Sequence, residues 1–219
     1  MFDNIINYAK KYFPNLVVKY KDQSILMKII GLLLFFNKSF MTSFITTLGY
    51  TTYFPSIQFI KNNQISSTII LLHELVHMSD TKKYGKLLFS FIYTSPQILA
   101  ILAIPFLFIS WKFSLIFLLC ALPIPSIGRA YLEMRAYLIS LYAKDKIFKK
   151  LNYGLELDAN YDYFSLNFTG SAYYYMFPFS YIIKTMFKNG IQKILDGNKP
   201  YNDDTIFNMI DDLIDQIKN

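Results

Sequence analysis

The chain has 219 residues, 53% hydrophobic and 18% aromatic, with one cysteine and a formal charge of +7; the length suits one domain with a sizeable core, and a lone cysteine excludes an internal disulfide. The charge is carried by lysines spread along the chain, such as Lys10, Lys11, Lys82, Lys83, Lys149 and Lys150, and the only arginines are Arg129 and Arg135. No basic stripe of the kind that tracks nucleic acid results, so no nucleic-acid partner is expected, whereas basic pairs beside apolar segments keep a membrane surface open as a partner.

Met1-Phe2-Asp3-Asn4 lacks the basic start and apolar stretch of a secretory signal, so the protein is expected in the cytoplasm or at a membrane face. Phe2, Ile5, Ile6, Ala9 and Phe13 recur at helical spacing up to Pro14. Leu16 to Tyr20 is a strand candidate. Ser24 is placed to cap a helix from Ile25 to Phe36, nearly all apolar and read as a core helix rather than a membrane span. Met41 to Phe54, rich in Thr, Phe, Ile and Tyr and interrupted at Leu48-Gly49, reads as strand structure with a turn or bulge, and an exposed edge there suits main-chain pairing with an extended peptide. A helix is expected from Ser66 or Ser67 past His77 to between Asp80 and Gly85. Leu87 to Ser110 and Phe113 to Ile127 form an apolar hairpin interrupted by Pro96, Pro105, Pro123 and Pro125; it either enters a membrane or packs in a core. Ser126 to Ile147 reads as a helix, Asn152 to Tyr175 as a loop that wraps the site, and Tyr173 to Phe187 as a further apolar segment ending in turns at Asn189-Gly190 and Gly197 to Pro200. An amphipathic helix closes the chain, with Ile206, Met209, Ile210, Leu213, Ile214 and Ile217 on one face. The whole is expected to be a single α+β domain over residues 1–219, mostly helical with a small sheet, carrying the hairpin as an insertion at about 87–127.

The chemistry is concentrated in His73-Glu74-Leu75-Val76-His77. These are the only two histidines of the chain, and Glu74, Glu133 and Glu156 are its only glutamates. On a helix, residues four apart share a face, so both imidazoles can hold one Zn2+ ion while Glu74 lies beside its open position. A structural metal site is the plainer reading of two histidines one turn apart; the adjacent glutamate favours a catalytic one.

A third ligand must come from elsewhere. Six residues after His77 stands Lys83 rather than a histidine, which excludes the three-histidine arrangement. Glu133, in the helical segment Arg129 to Tyr137 with Ala130 and Ala136 around it, offers a rigid carboxylate; Glu156, in a loop-like stretch, is the alternative. With His73, His77 and Glu133 as metal ligands, Glu74 takes the general-base role in hydrolysing a peptide bond. Arg129, Tyr131, Tyr137 and Tyr173 to Tyr175 are the candidates for oxyanion support, and Arg129 equally suits orienting Glu133. Asp80 is either a further partner of a histidine or a helix-end residue.

His73-Glu74-Leu75-Val76-His77, an apolar hairpin, then Glu133-Met134-Arg135-Ala136 resembles the gluzincin metallopeptidases, closest in layout to the CAAX-prenyl-protease and heat-shock-protease family. The likeness spans roughly residues 65 to 140. It implies a zincin-like fold, zinc, a peptide or protein substrate, and the ligand and base roles just described; the family's aspartate position is held by Tyr137. The chain is also similar to small HExxH proteins encoded by large tailed phages, in which a Tyr-rich segment like Ala172 to Phe179 follows the glutamate helix. That likeness implies a different function, a virion or host-takeover structural protein with virion partners and a structural or vestigial zinc site.

Overall fold

Phe2, Ile5 and Ala9 are buried on one side of the first helix, α1 (Phe2–Ala9), as their spacing requires. A computed structural model describes residues 1–35, 37, 39–153, 161–171 and 175–217. After α1 comes β1 (Val17–Tyr20), then α2 (Ile25–Leu33), capped by the Ser24 hydroxyl, which accepts from the Met27 N–H at 3.3 Å. The expectation of a core helix fails here. Met27 is its one buried residue, packed with Phe40 and Tyr53, while Ile25 and Leu32 are 76% and 75% exposed. A largely apolar helix that buries only Met27, with Ile30 partly buried beside it, leaves its other faces uncovered.

The strand-rich segment forms a hairpin, β2 (Thr46–Leu48) and β3 (Thr51–Phe54), turning at Gly49-Tyr50. β3 pairs antiparallel with β2 and parallel with β1, giving the order β1-β3-β2. β2 is therefore an edge strand. Thr47 stands opposite Thr52, with their hydroxyls 2.9 Å apart.

A short helix, α3 (Ile57–Asn62), leads into α4 (Gln64–Tyr84), which carries both histidines. The Asn63 side chain accepts from the Ser66 N–H at 3.0 Å and starts α4; Gly85, at φ +79°, ends it. The hairpin follows as α5 (Lys86–Thr94), a 3-10 turn over Gln97–Leu102, α6 (Ala103–Leu107) and α7 (Trp111–Leu119). Pro96 cuts the first arm after α5. Between residues 86 and 125, Ala103 alone is buried, so the hairpin is not part of the core. Among the described residues no single helix is long and apolar enough to cross a membrane; the stretches Lys86–Thr94 and Gln97–Leu107 meet that test only together, bent by 93°.

The next helix, α8 (Ile127–Lys150), carries Glu133 and packs most extensively against α4. Gly128 makes the approach of α8 to α5 possible, since a β-carbon there would lie 2.7 Å from the Ile92 carbonyl oxygen. Part of the segment expected as loop is helical, forming α9 (Tyr161–Thr169), because Phe164 and Phe168, four apart, both pack on Phe187. Glu156, Tyr173 and Tyr174 lie outside the described residues.

No turn forms at Asn189-Gly190. The helix α10 (Ser180–Leu195) runs straight through it, and Gly190 serves close packing instead: a β-carbon there would come within 2.4 Å of Leu138 Cδ2. The last helix, α11 (Asp204–Asp215), is capped by the Asp203 carboxylate and buries Ile206, Met209, Ile210, Leu213 and Ile214 as its pattern requires. One core cluster draws on α1, α4, α8, α10 and α11. The described chain is thus mostly helical with a small mixed sheet, an α+β arrangement.

Gly190→Ala should destabilise the protein by about 1–3 kcal/mol through overpacking against Leu138. Urea titration should show a smaller cost for the same change in a Leu138→Ala background, because the two positions compete for one space.

Candidate metal centre

Two adjacent helices build the site. His73 and His77 are one turn apart on α4 with ring centroids 5.0 Å apart, and Glu133 enters from α8 between them. His73 Nε2 lies 3.4 Å from Glu133 Oε2, and His77 Nε2 lies 3.6 Å from Glu133 Oε1. One donor atom from each of the three residues falls within 4.8 Å of the others. Three of the residues singled out in the sequence are therefore brought together, although sixty positions of hairpin and helix separate His73 from Glu133.

The other side of His73 is held by α8. Its Nδ1 is 3.3 Å from the Ser140 hydroxyl, which donates to the Ala136 carbonyl at 3.1 Å, and the ring also hydrogen-bonds that carbonyl. Fixing Nδ1 this way turns Nε2 toward Glu133, the orientation a ligating imidazole needs. Tyr137 stands edge-on to the His73 ring at 5.0 Å and is backed by Phe164, Phe168 and Phe187, so its ring buttresses the histidine from an aromatic wall.

Tyr93 is the residue that sequence reasoning missed. It projects from α5, donates its hydroxyl hydrogen bond to Glu133 Oε1, and stands edge-on to His77 with centroids 5.7 Å apart. Phe89, one turn earlier, stacks on Tyr93 and lies 6.1 Å from His77. Arg129 sits over the Tyr93 ring at 5.1 Å, reaching the site through that tyrosine. The available signal was the four-residue spacing of Phe89 and Tyr93 on a helix that begins directly after Gly85, where the chain must fold back beside the end of α4.

Three candidates lie elsewhere. Tyr131 is 56% exposed and faces the Arg135 guanidinium. Asp80, although buried, accepts at Oδ1 from Arg135 Nη1 at 2.5 Å and does not meet a histidine ring; Arg135 Nη2 donates to Asp203 at 2.7 Å. Asp80 therefore joins α4 to α8 and α11. Tyr175 is described but half exposed, with its N–H bonded to the Gly170 carbonyl.

Glu74 is buried on α4, near enough to Thr47 of edge strand β2 for that hydroxyl to favour its charged form. Burial pushes its pKa up against the pull of His73, Thr47 and Lys21, and the Glu133 charge pushes the same way. Glu133 is driven down to about 2: burial opposes this, but the contact with His73 and the charge of both histidines prevail, with help from Tyr93. Burial lowers His77 to about 4 despite Glu133. His73, although burial works against its charge, is held above its ordinary range by Glu133 and Glu74. The two glutamates are thus set apart, one a fixed anion and the other poised to take up a proton.

Neither nitrogen of His77 nor Oε2 of Glu133 has a hydrogen-bond partner among the described residues. Buried lone pairs without donors are costly, and a divalent cation satisfies one nitrogen of His77 and the Glu133 carboxylate at once. Two imidazoles and one carboxylate are the donor set of an open zinc site. No family model matches the chain, and neither the curated proteins nor the solved structures contain a significant match.

Lys21, fully buried, donates to the Phe40 carbonyl at 2.7 Å, and burial lowers its pKa to about 8 against the attraction of Glu74. The folded state therefore holds this proton less tightly than the unfolded chain. Stability from this group is absent below pH 8 and gained as pH rises toward the ordinary value of 10.5. Chemical denaturation across that range should show the wild type gaining on Lys21→Met as pH rises.

Proposed function

We propose that the chain is a zinc-dependent metallopeptidase of zincin-like fold, with His73, His77 and Glu133 as ligands and Glu74 as general base. The observation that carries this reading is the convergence of unpartnered donors from His77 and Glu133 with the His73 ring, next to a glutamate whose proton affinity is raised. Zinc in such a site supplies Lewis acidity, bringing a water's pKa toward neutrality and polarising a carbonyl. Glu74 accepts the water's proton at its carboxylate and returns it to the departing amine. Thr47 holds Glu74 from the edge strand, and the free side of β2 is where an extended peptide adds a strand and presents its scissile bond. Tyr93 and Arg129 stand on the opposite flank. The Tyr93 hydroxyl, released from Glu133, is the donor placed to meet the developing oxyanion.

The hydrogen bond from Tyr93 to Glu133 also favours a second reading. A hydroxyl from within the chain then completes the shell, the zinc is structural, and the protein serves as a structural component, such as part of a phage particle.

The purified chain should carry about one zinc per molecule by elemental analysis, and Glu133→Ala and His77→Ala should weaken binding by more than about 100-fold. Glu74→Gln should retain the metal and lose peptide hydrolysis by at least about 100-fold, read as cleavage of unstructured peptides followed by mass spectrometry. Zinc-loaded wild type that cleaves no better than Glu74→Gln leaves the structural reading standing.

A further inference from the structure

The chain spends its apolar residues unevenly. Leu87 and Phe108 are each 87% exposed, Ile109 73% and Trp111 62%, and the exposure continues through α7. Patches of this extent on a soluble monomer mark a docking surface. The occupant is indicated by three properties of the same segment.

The first is charge. From residue 81 to residue 132 there are five cations, Lys82, Lys83, Lys86, Lys112 and Arg129, and no acidic residue. Lys82 and Lys83 lie in the last turn of α4, and Lys86 and Lys112 at the starts of α5 and α7, positions from which long side chains reach a polar boundary. The second is the treatment of polar groups. Gln97 donates to the Ile124 carbonyl, Ser114 to the Ala103 carbonyl, Thr94 to the Ser90 carbonyl and Ser126 to the Ser95 carbonyl. Side chains that turn back to main-chain acceptors are suited to surroundings without water. The third is length. α5 and α7 have nine residues each, about 14 Å at a rise of about 1.5 Å per residue, which is about half of a hydrocarbon core of about 30 Å.

From these we infer that the hairpin of α5, α6 and α7 inserts into one leaflet of an anionic bilayer without crossing it. Lys82, Lys83 and Lys86 meet lipid phosphates and acidic headgroups at the base of the hairpin, the tip at Phe108, Ile109 and Trp111 enters the acyl region, and Lys112 beside it extends its long side chain back toward the headgroups. A second copy of the chain is a poorer occupant, because a symmetric pairing through this face sets the same cations against each other. Insertion is independent of the proposed hydrolysis, and its test reads partition rather than activity.

Trp111 is the only tryptophan of the chain, so its fluorescence reports on the hairpin tip. The full chain is mixed with vesicles of phosphatidylcholine alone or with an equal part of phosphatidylglycerol. With the anionic vesicles, Trp111 emission shifts to the blue, brominated acyl chains quench it, and the chain floats with the lipid. Phe108→Asp combined with Ile109→Asp lowers partition at least about tenfold, and circular dichroism shows unchanged unfolding because neither residue belongs to the core. Raised salt and Lys86→Glu with Lys112→Glu weaken binding to the anionic vesicles alone. Trp111 emission that anionic vesicles leave unmoved overturns the inference. So does equal binding to both vesicle types, and so does a dimer that buries Trp111 and leaves the lipid unbound.

Discussion

A carboxylate between two imidazoles, shut inside the contact of α4 with α8, is the constraint around which the rest of the chain is arranged. An isolated charge in such a place costs several kcal/mol, so the helices must deliver Glu133 to its partners or not close at all. Small residues along α8 allow the approach, and the packing of α10 on its far side, with Gly190 against Leu138, fixes its rotation. The sheet is small because its task is limited: it closes the Glu74 flank of α4 and offers one open edge there.

The same charge logic recurs at a distance from the histidines. Arg135, two residues after Glu133 and on another face of α8, ties Asp80 to Asp203. Its guanidinium is kept fully charged by Asp80 although burial alone would lower its pKa. The two buried clusters lie along the same helix pair: Arg135 answers its carboxylates with two short charged hydrogen bonds, whereas the approaches of His73 and His77 to Glu133 are longer, at 3.4 and 3.6 Å, and bring three metal-ligating side chains together.

Much of this was legible in the sequence where a local rule coincided with the tertiary demand. The apolar stripe of α11, the Ser24 cap and the pairing of His73 with His77 are fixed by residues within a few positions of each other. Glu133 could be reached because glutamates are so few that elimination did the work of geometry. What escaped was set by neighbours far along the chain. Asn189-Gly190 has the composition of a turn, but the nearness of Leu138 makes glycine a packing residue. Ile25 to Leu33 has the composition of a core helix, but nothing in a hydropathy pattern says whether a partner exists to cover it. Tyr93 sits in a greasy run whose destination depends on how Gly85 redirects the chain.

The Arg135 bridge has a consequence for biosynthesis. Asp203 is at once the cap of α11 and the second carboxylate on that guanidinium, and it lies 68 residues beyond Arg135 in the chain. While a nascent polypeptide is still threading through the ribosome, the helices bearing the histidines and Glu133 emerge with this electrostatic lock incomplete. Completion waits for the arrival of α11, so the Arg135 lock closes only after α4 and α8 have both been made.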